Sequence, residues 1–364
     1  MHSSTFSIFL FPKAVGASVC GFVAMLTIVS VGCLPADPPR EAPEQHGVAL
    51  VTYSLDGYDS LETKSYLQGI SRIGANWVQL DPTWYQARRD GSAITPQPNS
   101  PSDISVERAI SLAHNMGLKV LLKPHVDLLD QTDRGTIRPA QPTDWFASYM
   151  TFITHYADLA ARTQVEEFTV GTELAGVSSN RAGWLRVIQA VRDRYTGPIV
   201  YAANFTEYSK VSFWDAVDLI GIDAYWKLSD QPTADVTTLE RAWAPIRAEL
   251  NAFSSRQGRK ILFTEAGYTS QRGTTTAPWS WAVSATPDQA EQAAGYQALL
   301  ATFQHQPWWS GVFWWAWDVL PGGPVDPLSY TPHDKSAEQI VRQWWIKRPS
   351  MFCEINPVCA QEPR

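Results

Sequence analysis

The chain has 364 residues, enough for one large domain or two small ones. Hydrophobic residues make up 45 %, which supplies a sizeable core, and the net charge of −7 comes from acids and bases mixed along the chain. No basic block interrupts that mixture, so a nucleic-acid partner is not expected. The count of 16 tryptophans stands out, because indole faces serve both as core filler and as platforms for flat or sugar-like ligands.

Residues 14–33, AVGASVCGFVAMLTIVSVGC, form an apolar stretch behind Lys13. It reads as a secretory signal, and it is also about long enough to span a bilayer, which takes ~20 residues. It closes on SVGC, which is similar to a bacterial lipobox with Cys33 as the lipidated residue. Gly32 fits that pattern, whereas Ser30 stands where Leu is usual. Residues 34–46 are Pro-rich and polar and read as an extended tether. Each reading puts the folded part outside the cytoplasm, anchored to a membrane through its N-terminus or secreted. In an oxidising compartment Cys353 and Cys359 are expected to form one short disulfide in the tail, residues 349–364. No Cys/His set has zinc spacing, and neither a metal nor another cofactor is expected.

From residue 47 to 348, strands and helices alternate. Strands are expected over 47–54, 76–84, 119–128, 168–171, 198–205, 217–226, 260–268 and 310–319. Helices are expected up to Ile73 and over 103–117, 143–163, 182–195, 237–254, 288–303 and 336–347, with only a short turn, SFWDAV, after the fifth strand. Such alternation means parallel pairing. Eight βα units over about 300 residues suit one closed (β/α)8 barrel of the TIM type. A doubly wound sheet is the alternative, but no G-x-G-x-x-G follows the first strand.

In such a barrel, function lies at the C-terminal ends of the strands. Chemistry-bearing residues gather there: Asp81 and Trp84 on strand 2, then Lys123, His125 and Asp127 on strand 3. Strand 4 ends in Thr172 and Glu173, strand 5 in Asn204, and strand 6 in Asp223, Tyr225 and Trp226. Strand 7 adds Glu265 and Tyr268, and strand 8 adds Trp314, Trp315, Trp317 and Asp318. Of these, Trp84, Lys123, His125, Thr172, Asn204, Asp223, Tyr225, Trp226, Tyr268, Trp315 and Trp317 are expected to contact the substrate. Strands 4 and 7 both stop at Thr-Glu and lie roughly across the barrel from each other. Two carboxylates so placed can flank one glycosidic bond, one protonating the leaving oxygen and one attacking the anomeric carbon. A plainer alternative buries both glutamates in an ion pair with Lys123. His125 and Asp127 read as substrate contacts or parts of a hydrogen-bond network rather than as metal ligands. Side-chain alternation puts Trp315 and Trp317 on one face and Trp314 on the other. The loop QRGTTTAPWSWAVSATP, residues 271–287, holds Trp279 and Trp281, which either wall the cleft at an outer sugar position or cover the barrel.

Glutamates ending strands 4 and 7, with a tryptophan ending strand 8, resemble the clan A glycoside hydrolases. Within that clan GTEL (171–174), GIDAY (221–225), FTEAGYTS (263–270) and FWWAW (313–317) most resemble glycoside hydrolase family 113, and KPH (123–125) and YTPHDKSAEQIV (330–341) fit it. The resemblance covers about residues 47 to 347. It implies an endo-acting β-1,4-mannanase with Glu173 as acid/base and Glu265 as nucleophile. Tyr225 would donate a hydrogen bond to the nucleophile, and Trp315 would floor the sugar at the cleavage point. Most clan members carry Asn before the acid/base, where this chain has Thr172. The expected partner is a β-linked polysaccharide or oligosaccharide, bound by a monomer. The alternatives are a non-catalytic surface glycan-binding barrel and a glycosidase of the same clan acting on another β-linked polysaccharide.

Overall fold

Eight short strands, buried on both faces, pair in parallel and close on themselves. They are β1 (Gln45–Val51), β2 (Trp77–Leu80), β3 (Lys119–Leu122), β4 (Glu167–Thr172), β5 (Ile199–Asn204), β6 (Leu219–Asp223), β7 (Ile261–Ala266) and β8 (Trp309–Asp318), with β8 pairing back onto β1. This computed structural model describes residues 44–318 and 325–346. The apolar N-terminal stretch, Cys33, nearly all of the tether and the Cys353 and Cys359 pair lie outside the described residues. Among the described residues no helix is long and apolar enough to cross a membrane.

Among the described residues seven helices surround the strands: α1 (Thr63–Arg72), α2 (Asp103–Asn115), α3 (Pro142–Thr163), α4 (Arg181–Arg192), α5 (Val236–Gln257), α6 (Gln289–Phe303) and α7 (Ser336–Trp345). After β5 come only two short 3-10 turns, Tyr208–Lys210 and Trp214–Ala216, where the short turn SFWDAV was expected. The barrel is therefore the one expected, and parallel strands covered on both faces explain the near-continuous apolar runs.

Two expected strands are shorter than their apolar runs. Pro82 ends β2 and Pro124 ends β3, because proline has no N–H to give the ladder. Beyond them Thr83–Gln86 pairs with His125–Leu128 on one side and with Ile94–Thr95 on the other, in a separate three-stranded sheet on the rim. This break lifts Trp84 off the barrel. Its ring packs on Phe152, His155 and Tyr156 of α3, so Trp84 is not a site residue.

Inside the barrel the side chains lie in layers. Trp77, Leu121, Val200, Leu262 and Phe313 fill the lower lumen. A Cβ at Gly47 would lie 2.1 Å from the Phe313 ring, so the bulk of Phe313 requires glycine on the neighbouring strand. Ala49, Tyr225, Trp315, Ala316 and Tyr330 form an upper cluster. Beneath the apolar layer, Gln45 Nε2 donates to Glu167 Oε2 at 2.8 Å. Burial raises the Glu167 carboxyl to about 8 from its ordinary 4.5. The folded chain then holds a proton that the unfolded chain releases. Stability should fall as pH rises from about 5 to 8, by a few kcal/mol in total. Glu167→Gln should flatten that slope in urea unfolding at the two pH values. An unchanged slope would remove Glu167 as its source.

Candidate active site

Both glutamates sit where strand pairing becomes irregular. The register of β7 slips against β6 between Phe263 and Glu265, so Thr264 and Glu265 both reach polar partners inside the barrel. The register of β4 slips against β5 between Thr169 and Thr172, and the next residue, Glu173, has φ 52°. That left-handed backbone is costly for a residue with a Cβ, by about 1 kcal/mol, and such positions cluster at functional sites. It carries Glu173 off the strand end, where its side chain is partly exposed, while its N–H stays on Ala202 O at 2.8 Å.

Glu265 is held by charge. The Lys123 ammonium donates to Glu265 Oε1 in a short contact and to Asp223 at 3.3 Å and 3.4 Å. The Tyr225 hydroxyl donates to Glu265 Oε2 at 2.8 Å, and Thr264 donates to Asp223 Oδ1 at 2.7 Å. Lys123 and Asp223 are fully buried. Lys123 holds the Glu265 carboxylate and Asp223 holds Lys123, so neither is the substrate contact expected. One ammonium serves two carboxyls here. Burial and then the neighbouring Glu265 push Asp223 upward, with Lys123 opposing. Burial alone would lower Lys123, but Asp223 and Glu265 carry it above its ordinary value.

Glu173 has a neutral partner. Asn204 Nδ2 donates to its Oε1 at 2.7 Å. Burial, reinforced by the charge of Glu265, raises Glu173 to about 7, against the pull of Arg134 and Lys123. Thr172, expected to contact the substrate, has its Oγ1 buried and without a hydrogen-bond partner among the described residues.

His125 lies below the pair, sealed from solvent and 3.9 Å from Glu265. Its Nδ1 lies 2.8 Å from Arg134 Nη1. A guanidinium only donates, so Nδ1 must accept and the ring proton sits on Nε2. Nε2 lies 3.3 Å from Asp81 Oδ1 without the alignment of a hydrogen bond. Burial, then the Arg134 and Lys123 charges, lowers His125 well below its ordinary value. Burial raises Asp81 to about 8, with Lys123 opposing and Glu265 adding. Arg134 also pairs with Asp127 at 2.7 Å. The cation beside His125 and Asp127 is thus this guanidinium. Arg134 lies on an irregular loop nine residues past His125 and carries no strand-end signal, so the strand pattern missed it. Tyr53, just past β1 and half exposed, lies within electrostatic reach of Asp127, Arg134, Asp81 and Glu265; it stands at the C-terminal end of the first expected strand, the one strand end at which no residue was singled out.

Trp315 lies in the upper cluster with Tyr225 and parallel to His125, with ring centroids 6.1 Å apart. Three other aromatic residues expected at the site belong to the shell between strands and helices. Trp317 stacks on His333 at 4.5 Å and would meet any Cβ at Gly69 of α1. The register of β8 against β1 slips between Val48 and Leu50, which separates Trp317 from the face of Trp315 and defeats simple alternation. Tyr268 is buried against Tyr296 and Gly295 of α6. Trp226 packs among Phe205, Tyr208, Trp243 and Phe263.

Known proteins share this fold. The profile of glycoside hydrolase family 113 matches residues 52–321. The chain belongs to that family. It is similar to the GH113 β-mannanase AaManA from Alicyclobacillus acidocaldarius, solved in complex with ManMIm. The identity is 29 %, covering 84 % of this chain and 98 % of that one, with a TM-score of 0.76. A second solved GH113 β-1,4-mannanase is 25 % identical, with a TM-score of 0.75 over 84 % of this chain and 100 % of that one. A β-glucuronidase from Ruminococcus gnavus, 11 % identical over 84 % of this chain and 50 % of its own, shares the barrel fold alone, with a TM-score of 0.58. No curated protein sequence matches the chain. The family member is a glycoside hydrolase.

The tautomer of His125 can be checked directly. Ring 15N shifts should show a neutral imidazole with its proton on Nε2 that does not titrate between about pH 5 and 8. Arg134→Met should free Nδ1 and let the ring titrate or exchange tautomers. An imidazolium at pH 6 in the unaltered protein would contradict the assignment.

Proposed function

We propose that this glycoside hydrolase is a retaining endo-β-1,4-mannanase, with Glu265 as nucleophile and Glu173 as acid/base. One observation carries the reading: the two carboxyls have opposite surroundings. Glu265 accepts from Lys123 on one oxygen and from Tyr225 on the other. Glu173 has only a neutral amide on it and a carboxyl raised to about 7. Two carboxyls split in this way can divide the work of acid and nucleophile. The mannan specificity rests on the similar β-mannanases.

In the first step Glu265 attacks the anomeric carbon while Glu173 gives its proton to the departing glycosidic oxygen, leaving a glycosyl-enzyme ester. In the second, Glu173, now a carboxylate, takes a proton from water as that water attacks the same carbon and frees Glu265. Two inversions retain the anomeric configuration. Trp315 would lie beneath the sugar at the cleavage point.

Early NMR spectra of hydrolysed mannan oligosaccharide should show the β-anomer first. Glu265→Ala should abolish turnover on every substrate, because no ester can form. Glu173→Ala should keep activity on a substrate with a good leaving group, and azide should trap its ester as a β-glycosyl azide. In the unaltered enzyme kcat/KM should fall about tenfold per pH unit above roughly pH 7, as Glu173 loses the proton it must donate. An inverted product, or the reverse response of the two mutants to leaving group, sinks the assignment.

We also propose that the enzyme works as a monomer outside the cytoplasm, held to the membrane by lipid on Cys33. The support is SVGC with a Pro-rich tether after it. Labelled fatty acid should enter the protein, and Cys33→Ala should prevent it. Equal labelling of the variant excludes this residue.

A further inference from the structure

Two tryptophans of the loop after β7 stand half or more in water, Trp279 at 50 % and Trp281 at 58 %. Such indoles on a floppy segment would fold inward. This segment is pinned instead. The buried Tyr330 hydroxyl donates to Pro278 O. The buried Gln271 donates from Nε2 to Trp281 O at 2.8 Å and accepts at Oε1 from the N–H groups of Val283 and Ser284, at 2.7 Å and 2.8 Å. The ordering cost is met within the fold, so a ligand binding these rings need not meet it again.

The position of Trp279 gives its side of the cleft. Its ring stacks on Phe205, with centroids 6.0 Å apart and planes 25° apart. Phe205 directly follows Asn204, the residue on the Glu173 carboxyl, and packs against the cluster of Trp315 and Tyr225. Residues 273–287 carry no charged side chain, which suits a neutral ligand with one apolar C–H face. A hexopyranose ring has such a face, and an indole matches it. An acid/base gives its proton to the oxygen of the departing chain, so a ring linked to Glu173 through Phe205 and Asn204 is assigned to the leaving-group side.

We propose that Trp279 is the stacking platform for the first sugar unit of the departing β-linked chain. The site then holds polysaccharide on both sides of the scissile bond, as internal cleavage demands. After the first half-reaction the same platform can hold an acceptor sugar, whose hydroxyl attacks the glycosyl-Glu265 ester while Glu173 takes its proton. A new glycosidic bond forms, and Glu265 leaves as carboxylate. This inference rests on the roles given to Glu173 and Glu265.

The test compares two substrates of the full chain. Mannohexaose places sugar on the leaving-group side, whereas β-mannobiosyl fluoride places only fluoride there. Trp279→Ala should lower the ratio of kcat/KM for hexaose to that for the fluoride about tenfold, the effect of losing one aromatic contact of about 1.4 kcal/mol. Trp279→Phe should recover part of the ratio. Transfer of the glycosyl group to added mannotriose, relative to water, should fall with it. In a Glu265→Gln background, the Trp279→Ala change should weaken hexaose binding by calorimetry. Equal loss on both substrates, or an unchanged ratio, overturns the platform while leaving the two-glutamate reading intact. If the unaltered protein cleaves neither substrate and Glu265→Gln does not bind hexaose, both readings fall together.

Discussion

The Lys123 ammonium, buried without residual exposure between Asp223 and Glu265, is the interaction on which the site depends. A buried cation that loses one partner leaves an uncompensated charge, at a cost of about 3–5 kcal/mol. Two carboxyls are offered to one cation, and the fold resolves the competition by environment. Asp223 is sealed beneath the cleft, accepts from Thr264 and is driven upward by burial. Glu265 is the member whose second oxygen meets Tyr225 at the cleft floor. Arg134 and Asp127 form a separate pair next door. Burial raises Asp81, Asp223 and Glu173 alike, and in each case the Lys123 charge opposes the rise.

The barrel was legible because its signals are local and repeated. Apolar runs of strand length alternate with amphipathic helices, and Thr-Glu closes two of the runs. The ion pair with Lys123, set beside the catalytic reading as its rival, is present on Glu265 and absent from the hydrogen bonds of Glu173. The two readings are therefore compatible, since a nucleophile needs a cation to hold it in a buried site. Proline was the underused signal. Pro82 and Pro124 were visible inside two expected strands, and each moves the residues after it to the rim sheet. That explains the misplacement of Trp84 and the sealed position of His125.

Aromatic residues were the hardest to place, for a geometric reason. Period-two alternation assigns faces only while the ladder stays in register. The ladders of β1 with β8, β7 with β6 and β4 with β5 each slip near their C-terminal ends. Trp315 and Trp317 consequently part company, one in the cleft and one under α1. Tyr268 and Trp226 fill the shell under α6 and α5. Arg134 had no periodic context at all, since a 3-10 turn at Arg134–Thr136 places it.

Those slips are also what sets the two glutamates apart. In an ideal barrel, residues at equivalent ends of β4 and β7 would meet similar surroundings, and two similar carboxyls would titrate together. The break in β7 turns Glu265 inward onto Lys123 and Tyr225. The left-handed backbone at Glu173 turns that side chain outward, beside Asn204 and partly open to the cleft. A backbone cost of about 1 kcal/mol at Glu173 thus yields a carboxyl raised to about 7 opposite one gripped by a cation. The Thr-Glu repeat in the sequence hides this difference, because identical dipeptides end on opposite irregularities of the strands that carry them.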